Sequence, residues 1–325
     1  MSARKILAIC GGIGGAKLAL GLHRVLARSN LILCVNTGDD FEHLGLHVSP
    51  DIDTVMYTLA GLDNPETGWG RKGETWTFMQ AVAALGGETW FRLGDGDLAT
   101  HVERTRRLSS GETLTSITTD FARRLGIEAE LLPMSDDSVR TIVETVEGTL
   151  PFQRYFVARR CEPVVRRIFF EGAANARPNP LVLSALGQAD LGLVVICPSN
   201  PYLSVDPILA IPGLRQALAD CAAPVIAVSP LIGGQAVKGP TAKIMTELGM
   251  PLTQASIAQH YDGLIDGIMI DRTDEAEAAR LPVTTRTTRT LMTSIGDRER
   301  LAREVIDFGA TLDRRSRPRA ARHAR

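Results

Sequence analysis

The chain has 325 residues, 44% apolar and 22% charged, the balance of an ordinary globular protein with one large domain or two. Its formal net charge is −1 and aromatic residues make up only 5%, so neither a positive field nor a set of base-stacking platforms argues for a nucleic-acid partner. No apolar run reaches the roughly 18–20 residues that a membrane helix needs, and the chain starts without the apolar core and cleavage site of a signal peptide.

The first apolar run, 6–10, reads as a strand that leads straight into Gly11, Gly12, Gly14 and Gly15, and a helical pattern follows over 16–27. Strand, glycine turn and helix together aim backbone N–H groups and a helix N-terminus at a phosphate. Glycine suits the turn because a residue without Cβ bends tightly and lets the backbone approach an anion. Lys17 follows, but with no Ser or Thr after it as in a P-loop, and Gly11-x-x-Gly14 lacks the full G-x-G-x-x-G of dinucleotide folds. The plain alternative is a tight turn with no ligand.

Residues 31–36 form a second strand, uniformly apolar as expected when both faces are covered. Helical patterns occupy 51–62, 75–85, 98–111 and 114–125. The segment 128–177 differs: 139–147, 153–158 and 164–171 carry β-branched and aromatic residues in partial alternation, the mark of an inserted antiparallel or mixed subdomain. Helices at 180–186, 208–220 and 242–248 then alternate with strands at 191–197, 224–229 and 263–270. This alternation predicts an α/β fold: a parallel sheet with helices on both faces, built from 1–127 and 178–312, with a smaller mixed α+β insertion. The tail, 313–325, holds six arginines and reads as a solvated, disordered end. The five cysteines form no C-x-x-C pair; buried thiols in a reducing cytoplasm fit them better than a zinc site or disulfides.

Ligands of open α/β sheets bind beyond the carboxyl ends of the strands. Four segments converge there: the glycine loop, Asn36-Thr37-Gly38-Asp39-Asp40, Pro198-Ser199-Asn200-Pro201, and Ser229 to Gly234. Asp39 and Asp40 are followed by Asp51 and Asp53, and two or three carboxylates beside a phosphate loop make a Mg²⁺ site, since that ion is hard and prefers oxygen. One of Asp51 and Asp53 equally suits capping the helix that begins after Pro50. Arg92 stands in a polar turn, RLGDGDLATH, that opens another helix; Asp95 and Asp97 suit a turn and cap there, and His101 and Glu103 lie inside the helix. No Ser-His-Asp order or G-x-S-x-G elbow is present, so covalent catalysis is not indicated. Phosphate cradle plus acidic ligands points to transfer of a phosphoryl-type group.

The segments GGIGGAKL (11–18), VNTGDD (35–40), SPDIDTVMYTL (49–59), GWGRKGETW (68–76), RLGDGDLATH (92–101), LPMSDD (132–137), CPSNPYLSVDPIL (197–209) and SPLIGGQAVKGP (229–240) make the chain resemble the 2-phospho-L-lactate transferase family of coenzyme F420 biosynthesis, over about residues 5 to 310. The resemblance implies a Rossmann-like dimer that needs Mg²⁺. It implies transfer of a phospholactyl-type group from a guanosine diphosphate-linked donor to the ribityl hydroxyl of the deazaflavin Fo, releasing GMP. On this resemblance Asp53 and Arg92 contact Fo, and Asp39, Asp40 and Asp53 are the metal-ligand candidates. The glycine loop and the Ser199-Asn200-Pro201 turn hold the guanosine diphosphate part, and Lys17, Asn36 and Thr37 are further substrate-binding candidates. Asp53 or Asp40 orients the attacking hydroxyl. The family commonly has Arg within LGDRD where this chain has Gly96, so Arg92, Lys72 or Lys238 must take over any phosphate contact. The implied setting is a cytoplasmic homodimer acting on small molecules. Two rivals are a non-catalytic nucleotide-sugar-binding regulator, which resembles A-D-D-G-G-S-S-G at the second segment, and an NAD-dependent oxidoreductase. The latter wants an acidic residue where Asn36 ends its strand.

Overall fold

A computed structural model describes residues 4–27, 30–237 and 239–312; the tail at 313–325 and Lys238 lie outside the described residues. Seven strands form one sheet in the order Thr284–Thr288, Gly267–Asp271, Val225–Val228, Leu191–Ile196, Lys5–Cys10, Leu31–Val35 and Glu130–Pro133, with every neighbouring pair parallel. The expected α/β parallel sheet with helices on both faces is therefore present. Successive side chains on a strand point to opposite faces. Leu7, Ile9, Ile32, Cys34, Val194 and Ile196 accordingly enter one core, while Ile6, Ala8, Cys10, Leu31, Leu33, Val35 and Val195 enter the other. Two separate cores explain why the central strands are apolar at every position.

Helices Gly12–Val25, Pro50–Leu59 and Ile295–Ala310 cover the second core through Leu18 and Leu22, Ile52 and Val55, and Leu301 and Val305. The first core is closed by Pro180–Gly187, Leu214–Asp220 and Gln254–His260, and by a three-stranded antiparallel sheet of Gly148–Pro151, Arg140–Thr145 and Val165–Glu171. Three local details differ from the sequence reading. Strand Glu130–Pro133 pairs with Leu31–Val35 in the main sheet, although it falls inside the expected insertion. Residues 154–158 form a wide helical turn rather than a strand. The helix expected over 208–220 is two pieces, Asp206–Leu209 and Leu214–Asp220, because Pro212 and Gly213, at φ 88°, interrupt it. All five cysteines are free, and Cys10, Cys34, Cys197 and Cys221 are buried.

Strand addition reverses between Lys5–Cys10 and Leu191–Ile196: 31–35 and 130–133 extend the sheet one way, and 225–228, 267–271 and 284–288 the other. The loops after those two central strands diverge and leave a crevice there, the switch point where such sheets bind ligands. Residues 60–94 form an arm between Pro50–Leu59 and Asp95–Ser109, and its helix Thr77–Ala84 buries Met79 alone.

Candidate active site

The glycine turn is the first turn of its helix, Gly12–Val25. Gly12 has φ 63°, a left-handed conformation that favours glycine. A Cβ at Gly11 would stand 2.4 Å from Asp51 Oδ2, one at Gly14 2.2 Å from the Pro198 carbonyl oxygen, and one at Gly15 2.6 Å from Ser199 Oγ. These glycines are thus required first by the loops that press on them. Ser199 locks that contact, accepting from Gly11 N–H at 3.2 Å and donating to Gly11 O at 2.9 Å. The mismatch to the standard glycine fingerprints has its reason here: the spacing serves a join between loops.

The helix Pro50–Leu59 brings Asp51 to the same place. Gly12 N–H donates to Asp51 Oδ1 at 2.7 Å, and Asn36 Nδ2 donates to Oδ2 at 2.9 Å. Asp51 and Asp39 both line a cleft of about 650 Å³ together with Gly11, Gly12, Gly14, Lys17, Ser199 and Asn200. Both carboxylates are buried. Burial raises the pKa of Asp39 well above the usual carboxylate range, and the negative charge of Asp51 raises it further. Burial also pushes Asp51 up, to about 6, against the lowering effect of its bonds from Asn36 and Gly12. Two buried carboxylates whose charge lacks compensation, with oxygen the only donor type, fit a hard divalent cation such as Mg²⁺.

The other proposed acids sit elsewhere. Asp53 does not line the cleft. Both its oxygens accept from Arg104, a side chain only 1% exposed, and His101 Nδ1 lies 3.7 Å away. The reason is helical phase: residues two apart on a helix of about 3.6 residues per turn point roughly 200° apart, so Asp51 and Asp53 cannot share a face. Asp40 lies beside the cleft, in an adjoining cavity of about 270 Å³. Its Oδ2 accepts from Ser49 Oγ at 2.8 Å, with His47 Nε2 at 3.1 Å, while its buried Oδ1 has no partner. Among the described residues, Asp53, Asp97 and His101 bring their ligand atoms within 4.8 Å of one another. Arg104 on Asp53, and Tyr57 donating to Asp97 at 2.7 Å, already occupy those oxygens, so the group reads as a buried ion-pair network. Glu103 pairs with Arg106 on the surface. Asp95 instead caps the arm helix, accepting from Thr77 N and Phe78 N, each at 3.1 Å.

Asn36 and Thr37 are buried and do not line the cleft; Asn36 is a brace, bonded to Asp51, Gly38 N and Leu203 O. Pro201 is likewise buried behind the wall, where Asn200 Oδ1 caps the turn by accepting from Tyr202 N at 2.9 Å. Lys17 Nζ donates to Met292 O at 3.0 Å on the side that Ser229, Pro230 and Thr290 complete. Another part of the cleft is aromatic, with Trp69, Trp90, Phe91, Phe152 and Phe156. Arg92 lines it too, its guanidinium 4.0 Å from the Trp76 ring centroid. Gly96 N–H and Asp97 N–H donate to Glu74, and Arg71 reaches Gly96 O at 3.2 Å. Of the substitutes considered for an arginine at 96, Arg92 lines the cleft and Lys72 does not.

A family profile described as "2-phospho-L-lactate transferase CofD" matches residues 6–307. The chain belongs to this family. Over 315 residues, 94% of this chain and 98% of the relative, it is 40% identical to a phosphoenolpyruvate transferase of Streptomyces griseus. It is 36% identical to a 2-phospho-L-lactate transferase of Methanocaldococcus jannaschii, over 94% of this chain and 99% of the relative. Among solved structures, a UPF0052 family protein of Bacillus halodurans superposes with TM-score 0.62 at 16% identity, covering 94% of this chain and 99% of its own, which supports the fold. The protein is a CofD-family transferase. Among the described residues no helix is long and apolar enough to cross a membrane.

Proposed function

We propose that this CofD-family transferase moves a phospholactyl-type group, carrying a lactyl, enolpyruvyl or 3-phosphoglyceryl acid, from a guanosine diphosphate-linked donor to the ribityl hydroxyl of Fo. The products are GMP and coenzyme F420-0 or its variant. One observation carries this reading: a single cleft joins Gly12 and two buried carboxylates to a loop-lined part on one hand and an aromatic part on the other. The loop-lined part, with Ser199, Asn200 and Lys17, suits the nucleotide and its phosphates. The aromatic part offers a flat ring stacking surfaces and the Arg92 guanidinium.

Asp39 and Asp51 would hold Mg²⁺, which when bound supplies charge neutralisation at the donor's phosphates. The chain does the positioning. Gly12 N–H and Asn36 fix the Asp51 carboxylate, Thr141 Oγ1 lies 3.5 Å from Asp39 Oδ1, and Gln153 Nε2 reaches the Asp39 carbonyl at 3.4 Å. Arg92, held by Trp76, orients the deazaflavin so that its hydroxyl faces the phosphorus. GMP is a good leaving group, so orientation carries more of the rate than a strong base does.

The test incubates the protein with Fo, Mg²⁺ and each guanylated acid, and reads product masses. The expected result is one dominant product that joins Fo to a phospho-acid, with GMP in equal amount. Nucleotide binding without any such product would favour the regulator instead.

A further inference from the structure

In-line displacement dictates where the parts of the donor lie. The entering hydroxyl and the departing phosphate stand on opposite sides of the reacting phosphorus. The acid, the remaining large substituent, must therefore leave that axis sideways. The O–P bond to Fo forms as the P–O bond to GMP breaks. GMP departs with the electron pair, the hydroxyl proton passes to water, and the bond between acid and phosphorus stays intact. The acid thus needs a seat that it keeps throughout.

The cavity of about 270 Å³ beside the cleft offers room for such a seat, since it adjoins the cleft at Asp39, Trp90, Phe152 and Gln153, Asp39 being one of the two carboxylates that line the cleft. It is smaller than the roughly 300 Å³ at which sites for drug-sized ligands begin, so it suits a small group and not a nucleotide. Phe41, Ile142 and Phe152 give it apolar walls, and Arg140 and Arg154 give it positive charge. Arg154 is committed: both oxygens of Glu88 accept from it at 2.9 Å, and its guanidinium lies 4.2 Å from the Trp90 ring centroid. Arg140 differs. Among the described residues it forms no ion pair, and its guanidinium donates to Val139 O at 2.9 Å, leaving most of its five N–H donors for a ligand. Glu171 stands across from Arg140 in the sheet register, and Glu171 and Glu42 also line the cavity, but both are exposed to solvent.

We infer that this side cavity seats the acid of the donor, with Arg140 receiving its carboxylate and Phe41, Ile142 and Phe152 its carbon skeleton. The inference rests on the transferase reading above. A planar guanidinium with free donors is the residue type that matches a carboxylate two-pronged.

Calorimetry without acceptor tests it, with Mg²⁺ present and two probes: guanylated 2-phospholactate, and the P²-ethyl ester of guanosine diphosphate, which lacks the carboxylate. The parent protein should bind the first more tightly. Arg140→Gln should weaken the first by about ten- to a hundred-fold and leave the ethyl ester unchanged. Ile142→Phe, which fills the cavity without touching Arg140's charge, should weaken both probes, since each carries carbon into the cavity, and leave guanosine diphosphate unchanged. Equal affinity of the parent for both probes, an equal loss for both in Arg140→Gln, or no loss for either in Ile142→Phe would overturn the assignment. Because no turnover is needed, a failure to transfer to Fo would overturn the functional reading while this measurement still decides the cavity.

Discussion

At the scale of single residues, the two aspartates of PDIDT have different fates, and the difference is measurable. Asp51→Asn removes a carboxylate that faces the cleft; turnover should fall by about a hundred-fold or more, with a change in denaturant unfolding well below that of Asp53→Asn. Asp53→Asn instead strips the buried Arg104 of its partner. That variant should lose about 3–5 kcal/mol in denaturant unfolding, because a buried charge is left unpaired. The reverse pattern would return Asp53 to the chemistry. The carboxylates also set a pH dependence. The folded pKa of Asp51 lies near 6 against an ordinary 3.8, so the cation-free protein keeps this contribution below about pH 4 and loses it as pH rises through 6. Burial and the charge of Asp51 raise Asp39 in the same direction, so Asp39→Asn should unfold at higher denaturant than the parent at pH 8 without cation, and match it near pH 4. Equal midpoints at pH 8 would argue that Asp39 carries no burial cost.

At the scale of elements, the sequence showed most of what the cleft is made of. The glycine loop, the 36–40 turn and the Ser199 turn were legible because each follows an apolar strand at the sheet's carboxyl edge. The choice between Asp51 and Asp53 was legible only through helical phase, which needs a third element to say which face is inward; Gly12 N–H supplies it. Strand Thr284–Thr288 escaped the reading because TTRTT is a polar edge strand without the apolar signature of its neighbours. The side cavity had no local signal, since Arg140 and Phe41 are brought together from different parts of the chain by tertiary packing. The glycines yield a prediction of their own. Gly14→Ala must push the Pro198 carbonyl aside, so it should cost about 1–3 kcal/mol of stability by overpacking. It should also weaken guanosine diphosphate binding in the same titration, because Pro198 and Ser199 both line the cleft. Unchanged binding would mean that the loops yield without disturbing the site.

At the scale of the molecule, the reversal of strand order puts the cleft between two halves of one sheet, and both cores run across both halves, one on each face. The arm at 60–94 is different in kind. Its helix buries one side chain, and Leu85, just past its end, is 89% exposed. Segments with so few packed neighbours open far more cheaply than the sheet. Within residues 30–312, limited proteolysis should therefore cut first near Gly86-Gly87, before any site in the sheet. A first cut elsewhere in that span would show that the arm is held by something besides its own contacts. The consequence reaches recognition itself. Trp69 and Trp76, the ring on which Arg92 lies, ride on the loosely anchored arm, whereas Gly12, Asp51 and Ser199 are bolted to the sheet, so the proposed acceptor and donor would be met with unequal stiffness. Heating or mild denaturant should abolish capture of the ring-bearing acceptor while the guanine nucleotide still binds.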